Sequence, residues 1–105
     1  MTTIRFYRDH DRLSGFVCQG HSGYAQAGED IVCAAISSSI TMAECIINDV
    51  YGAGAEAIVE QEGIRISLKL PSSCHEGCEA VLQGFFLCMK ELSHEYPEHL
   101  TVLEV

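Results

Sequence analysis

At the start of the chain, Ile4 and Phe6 are interleaved with Arg5 and Tyr7, an every-second-residue pattern of β-branched and aromatic types that predicts a strand over 3–8. Asp9-His10-Asp11 reads as a polar turn, and Leu13, Phe16, Val17 and Cys18 place a second strand over 13–19, so the two form a hairpin. From Ile31 the spacing changes. Val32, Ala35, Ile36, Ile40, Ala43, Ile47 and Val50 recur at three- and four-residue intervals, which predicts a helix with one apolar face over 31–50. Asp30 stands at its N-cap, and Gly52 and Gly54 end it.

Residues 55–61 read as a weaker strand and Glu62-Gly63 as a turn. Ile64, Ile66, Leu68 and Leu70 then alternate with Arg65, Ser67 and Lys69, the clearest strand pattern in the chain. Pro71-Ser72 breaks it. Ser73-Cys74-His75-Glu76 matches the S-x-x-E capping box and opens a helix with Cys78, Val81, Leu82, Phe85, Met89 and Leu92 turned inward. Tyr96-Pro97 stops that helix, and Leu100–Val105 closes the chain as a strand. The order is ββαββαβ. It predicts a two-layer α+β fold, a mainly antiparallel sheet with two helices on one face, and a single domain spanning residues 1–105.

Composition narrows what this fold does. A hydrophobic share of 48% with 20% charged residues is that of a globular chain, not a disordered one. The uncharged run Ile31–Ala43 falls short of the about 20 residues of a membrane span, so a soluble protein is expected. Six Lys and Arg against fifteen Asp and Glu give −9, with the excess acid beyond residue 30. No basic stripe is written that would displace counterions from phosphates, so no nucleic-acid contact is expected. The six cysteines contain no C-x-x-C pair, and MTTIRFYRDH has no apolar signal core. These features predict a cytoplasmic protein with reduced thiols, most of them small buried apolar side chains.

The stretch 20–37, GHSGYAQAGEDIVCAAIS, holds the chemistry. It sets His21 at a strand end, a glycine-rich loop after it, and Cys33 in the first turn of a helix capped by Asp30. Unpaired N–H groups and the positive end of the helix dipole stabilise a thiolate there. An imidazole within reach activates the sulfur and later protonates a leaving amine, while helix-start N–H groups hold an oxyanion. Each residue also has a plainer role open to it: Cys33 as a core thiol, His21 as a solvated loop residue, Asp30 as a cap only, and Ser37 bonded to the carbonyl a turn back. Ser37 follows Cys33 by four residues, so its hydroxyl can face the same site. Tyr24 and the loop glycines form either a lid or an unconstrained loop.

Gly20-His21, Tyr24-Ala25, Gly28, Asp30-Ile31-Val32-Cys33-Ala34-Ala35 and Ser37 closely resemble the signature of the bacterial ribosomal-processing cysteine protease (Prp) family, whose length and element order the whole chain also fits. The resemblance implies Cys33 as the nucleophile and His21 as its acid/base, Asp30 and Ser37 as supporting residues, and Gly20, Ser22, Gly23, Tyr24 and Gly28 as the substrate loop. Ser22 stands where an alanine is common, and Glu29 at a variable, often basic position. The implied enzyme is a cytoplasmic homodimer with no cofactor and no metal. It removes the N-terminal extension of a large-subunit ribosomal protein next to a Phe-Phe-Ala type sequence. Two other readings compete: a ribosome-assembly binding module of the same fold without chemistry, and a metal or redox site at Cys74, His75, Cys78 and Cys88. The latter lacks a second ligand pair at the usual spacing.

Overall fold

The computed structural model describes residues 1–26, 29–60 and 64–105. Strands β1 (Thr2–Asp9), β2 (Arg12–Gln19), β3 (Glu56–Glu60), β4 (Arg65–Lys69) and β5 (Leu100–Glu104) form one sheet in the order β3-β4-β2-β1-β5. Three neighbouring pairs are antiparallel, and β1 with β5 is parallel. Helices α1 (Ile31–Glu44) and α2 (Glu76–Glu95) supply the other layer. This is the ββαββαβ α+β fold that the hydrophobic pattern predicts. The β1–β2 hairpin turns at His10 and Asp11, both at positive φ, the backbone that a two-residue hairpin matched to strand twist requires.

Alternation puts Ile4 and Phe6 of β1, Phe16 and Cys18 of β2, and Leu68 of β4 on the helix-facing side, where they are buried. Val32, Ile36, Ile40 and Ala43 of α1 and Cys78, Leu82, Phe85, Phe86 and Met89 of α2 meet them. Four phenylalanines form the centre, with Phe16–Phe85 centroids 4.8 Å apart and Phe6–Phe86 edge-on at 5.0 Å. Ile31–Val50 is long and apolar enough, by length and composition, to cross a membrane. In this fold its apolar stripe packs on the sheet.

Four expectations are corrected. Most cysteines are not buried: Cys18 and Cys78 are, Cys33 and Cys74 are half-buried, and Cys45 and Cys88 are exposed. The helix over 31–50 is not uniform: it is α-helical to Glu44 and π-helical from Cys45 to Val50, closed by the Tyr51 N–H on the Ile46 carbonyl at 2.9 Å. Ser73 does not cap α2. The helix starts two residues later than a cap at Ser73 requires, and His75 Nδ1 accepts from the Gly77 N–H at 2.9 Å while its ring stacks on Tyr51. Ile64 does not continue the alternation of β4; it has a φ of 47° and lies exposed. The predicted turn at Glu62-Gly63 lies outside the described residues.

Candidate active site

The site forms where β2 ends, α1 begins, and the first residues of β1 and β5 lie side by side. β2 leaves the sheet at Gly20, whose φ of 94° suits glycine, and a Cβ there would come within 2.6 Å of the Met1 carbonyl oxygen. Buried Thr2 fixes this corner: its N–H bonds the His99 carbonyl at 3.0 Å and its hydroxyl the Gly20 carbonyl at 3.2 Å. His99 Nδ1 lies 3.0 Å from the Ser22 carbonyl. Tyr24 sets its ring edge-on against Tyr96 and His99, at 5.5 and 5.4 Å. The loop over 20–26 is thus tied to the α2–β5 connection.

Asp30 joins that loop to the helix. One carboxylate oxygen caps α1 through the Cys33 N–H at 2.9 Å. The other accepts from the Tyr24 and Ala25 N–H groups, at 3.1 and 3.3 Å, and from the Ser22 hydroxyl. Burial alone pushes a carboxyl's pKa up, but the Ser22, Cys33, Ala25 and Tyr24 donors outweigh it and hold Asp30 well below the usual carboxylate range. Helix start and loop are therefore organised by one charge.

Around that anchor, Cys33 Sγ, a His21 ring nitrogen and an Asp30 oxygen lie within 4.8 Å of one another. His21 Nδ1 accepts from the Gly23 N–H at 3.2 Å and stands 3.7 Å from Asp30 Oδ2. The Ser22 N–H points at Cys33 Sγ from 3.4 Å. The helix-start donor at Cys33 is already taken by Asp30, so the amide directed at the sulfur comes from the loop. Thiol, imidazole and N–H donor meet at a half-exposed corner of the fold, the set that nucleophilic acyl transfer uses.

Of the residues singled out in the sequence, His21, Ser22, Asp30 and Cys33 come together. Ser22 is buried against Asp30 and contributes backbone and hydroxyl rather than a surface contact. Gly23, at a φ of 72°, and Tyr24 continue the loop. Ser37 lies exposed a turn along α1, and among the described residues its hydroxyl joins none of the site's hydrogen bonds. Gly28 lies outside the described residues. Sequence reasoning missed Thr2, Tyr96 and His99, which hold the loop from far along the chain.

Cys74 and Cys78 are neighbours, but Cys78 is wholly buried, and burial and the adjacent Cys74 both raise its thiol pKa. Among the described residues, His21, Asp30 and Cys33 are the cluster with metal-ligand spacing; Cys74, His75, Cys78 and Cys88 form none. Cys18, also buried, is pushed up to about 11 by desolvation and by the neighbouring Cys33 charge.

Comparison with known proteins bears on the fold and the family. A curated relative, the ribosomal processing cysteine protease Prp of Bacillus subtilis (strain 168), is 24% identical over 107 residues, covering 95% of this chain and 92% of that one. The structure of an essential ribosomal processing protease Prp from S. aureus, in complex with a covalently linked product peptide, superposes with a TM-score of 0.92 at 18% identity over the full length of both chains. SMU.848 from Streptococcus mutans matches at a TM-score of 0.88 and 22% identity, over all of this chain and 94% of that one. The sequence model of the family described as cysteine protease Prp matches residues 1–101, and the chain belongs to that family.

Proposed function

We propose that this cysteine protease cuts through a Cys33 thiolate with His21 as its acid/base, and that it removes the N-terminal extension of a large-subunit ribosomal protein next to a Phe-Phe-Ala type sequence. The observation that carries the roles is the convergence of Cys33 Sγ and His21 beside Asp30, with the Ser22 N–H aimed at the sulfur. His21 takes the Cys33 proton as sulfur attacks the scissile carbonyl, then gives it to the leaving amine. The Ser22 N–H is the donor placed to meet the oxyanion. Water, deprotonated by His21, releases the acyl group and regenerates the thiol. Asp30 holds the helix start and loop in register. Ser37, exposed a turn along α1 from Cys33, is the supporting hydroxyl in this reading.

The substrate is inferred from the relatives, since the B. subtilis protein is named for ribosomal processing and the S. aureus structure holds a product peptide. A basic ribosomal protein also suits a chain of net charge −9. The test is a peptide spanning a Phe-Phe-Ala extension, read by mass spectrometry beside Cys33→Ala. One cut is expected with the native chain and none with the variant, at unchanged circular dichroism. Full activity in the variant ends the proposal for Cys33. If neither the peptide nor the full-length ribosomal protein is cut, the chain is a binding module.

We further infer a cytoplasmic homodimer. The outer side of α1, with Ile31 and Met42 exposed and no charge from Ile31 to Ala43, supports a second copy rather than open water. Light scattering then gives about twice the 11.5 kDa chain mass; a mass near 11.5 kDa overturns this.

A further inference from the structure

We propose that His21, Asp30 and Cys33 form a binding site for Zn2+, and that zinc held there keeps the protease reversibly inactive. The three side chains offer the nitrogen, oxygen and sulfur donors that zinc takes, within 4.8 Å of one another. Zinc–ligand bonds of about 2.0–2.3 Å in a tetrahedral shell set the donor atoms about 3.5 Å apart. His21 Nδ1 and Asp30 Oδ2 stand at 3.7 Å already. The remaining closure of about 1 Å falls on the Cys33 rotamer and on His21, which sits between Gly20 and Gly23, both at positive φ. The ion displaces the Gly23 N–H from His21 Nδ1 and competes with the Ser22, Tyr24 and Ala25 donors for Asp30 Oδ2.

Access and charge favour the ion. The His21 side chain is 37% exposed, Cys33 is half-buried, and the Asp30 side chain, at 2%, forms the floor. On binding, Cys33 loses its proton to solvent and zinc sheds the waters the three donors replace; no electron moves. Thiolate and carboxylate together cancel the dication, so a neutral complex forms at a partly buried site. A water completes the shell. Magnesium and calcium, which require mostly oxygen ligands, are excluded by the sulfur and nitrogen. Zinc ties up the sulfur lone pair that attacks substrate and the imidazole that moves the proton. The ion is an inhibitor and not a participant in the reaction.

Co2+ is the probe, because a cobalt–thiolate bond absorbs in the near ultraviolet and a tetrahedral cobalt centre in the visible. The full chain is titrated in a phosphine reductant, which keeps all six cysteines as thiols. The expected result is one Co2+ per chain, a thiolate band that stoichiometric Zn2+ removes and excess Mg2+ does not, and its loss in Cys33→Ser. His21→Ala weakens binding by about tenfold or more. Zn2+ stops peptide cleavage and a chelator restores it. No thiolate band in the native chain overturns the proposal, as does a full band in Cys33→Ser, which assigns the metal to other thiols. If Cys33→Ser does not fold, unchanged affinity in His21→Ala overturns it instead. The absorbance needs no turnover: a chain that binds cobalt but cuts nothing sinks the protease roles alone, and one that cuts without binding cobalt sinks only this site.

Discussion

Asp30 carries both the start of α1 and the shape of the loop over 20–26 through one carboxylate. Its carboxyl is held below the ordinary range in the folded chain, so the unfolded chain takes up the proton first as pH falls. The stabilisation is therefore complete above the ordinary carboxylate pKa of about 4 and declines below it as pH falls toward the depressed folded value. Asp30→Asn lacks this charge at every pH. The melting temperature of the native chain should exceed that of Asp30→Asn at neutral pH, and the gap should narrow below about pH 4. A gap constant from neutral to strongly acid pH would show that the charge itself does not matter. His21, Asp30 and Cys33 were legible in the sequence because capping chemistry and first-turn position are local, and the family signature runs through them. The Ser22 hydroxyl on Asp30 was not, since a serine between a histidine and a glycine carries no sign of burial. His99 was less legible still: it meets Ser22 across 77 residues, a distance that only strand pairing closes.

At the scale of elements, period is what the sequence carries, and ends are where it fails. Strands β1 and β4 and both helices arise from runs whose polar and apolar residues repeat at two or at three to four, whereas β3, Glu-Ala-Ile-Val-Glu and exposed throughout, has no such period. The π-helical turn at Cys45–Val50 leaves the apolar spacing nearly unchanged, so nothing in the pattern separates it from α-helix. Its effect shows in Asn48, whose side chain bonds the N–H and the carbonyl of Ala55 at 2.7 and 3.2 Å and closes the turn into β3. The cap of α2 moved to His75 because Tyr51, arriving from that same turn, stacks on its ring at 4.6 Å. Sheet order, too, waits on the tertiary structure. Gly15 shows why β2 and β4 lie so close: a Cβ there would run into the Leu68 carbonyl and reach the Lys69 Cα at 3.2 Å, both backbone atoms that cannot swing aside. Gly15→Ala should cost about 1–3 kcal/mol in denaturant unfolding, as overpacking does. A change under about 0.5 kcal/mol would mean that the strands part freely.

Across the whole molecule, charge is sorted between layers. Arg5, Arg8, Arg12, Arg65 and Lys69 all belong to the strands, which leaves Lys90 as the basic residue of the helices. Lys69 and Arg65 face Glu56 and Glu60 across the β3–β4 pair, and Arg8 pairs with Glu104 at 2.7 Å, so the sheet is close to balanced. The unbalanced acids are left to the helical layer and the connections around the candidate site, where Glu29 precedes Asp30, and Glu95 and Glu98 flank the Tyr96 and His99 that hold Tyr24. Acids beside the proposed nucleophile Cys33 concentrate a positively charged peptide before any specific contact forms. That attraction acts through solvent and falls as the Debye length shrinks from about 10 Å at 0.1 M salt to about 3 Å at 1 M. For a lysine- and arginine-rich extension, kcat/KM should therefore drop severalfold over that range, with the change in KM and little in kcat. A neutral peptide with the same residues at the cut should show almost none of it. Equal losses for both peptides would place the effect of salt on the enzyme's fold, and the acids beside the site would then have no part in choosing the substrate.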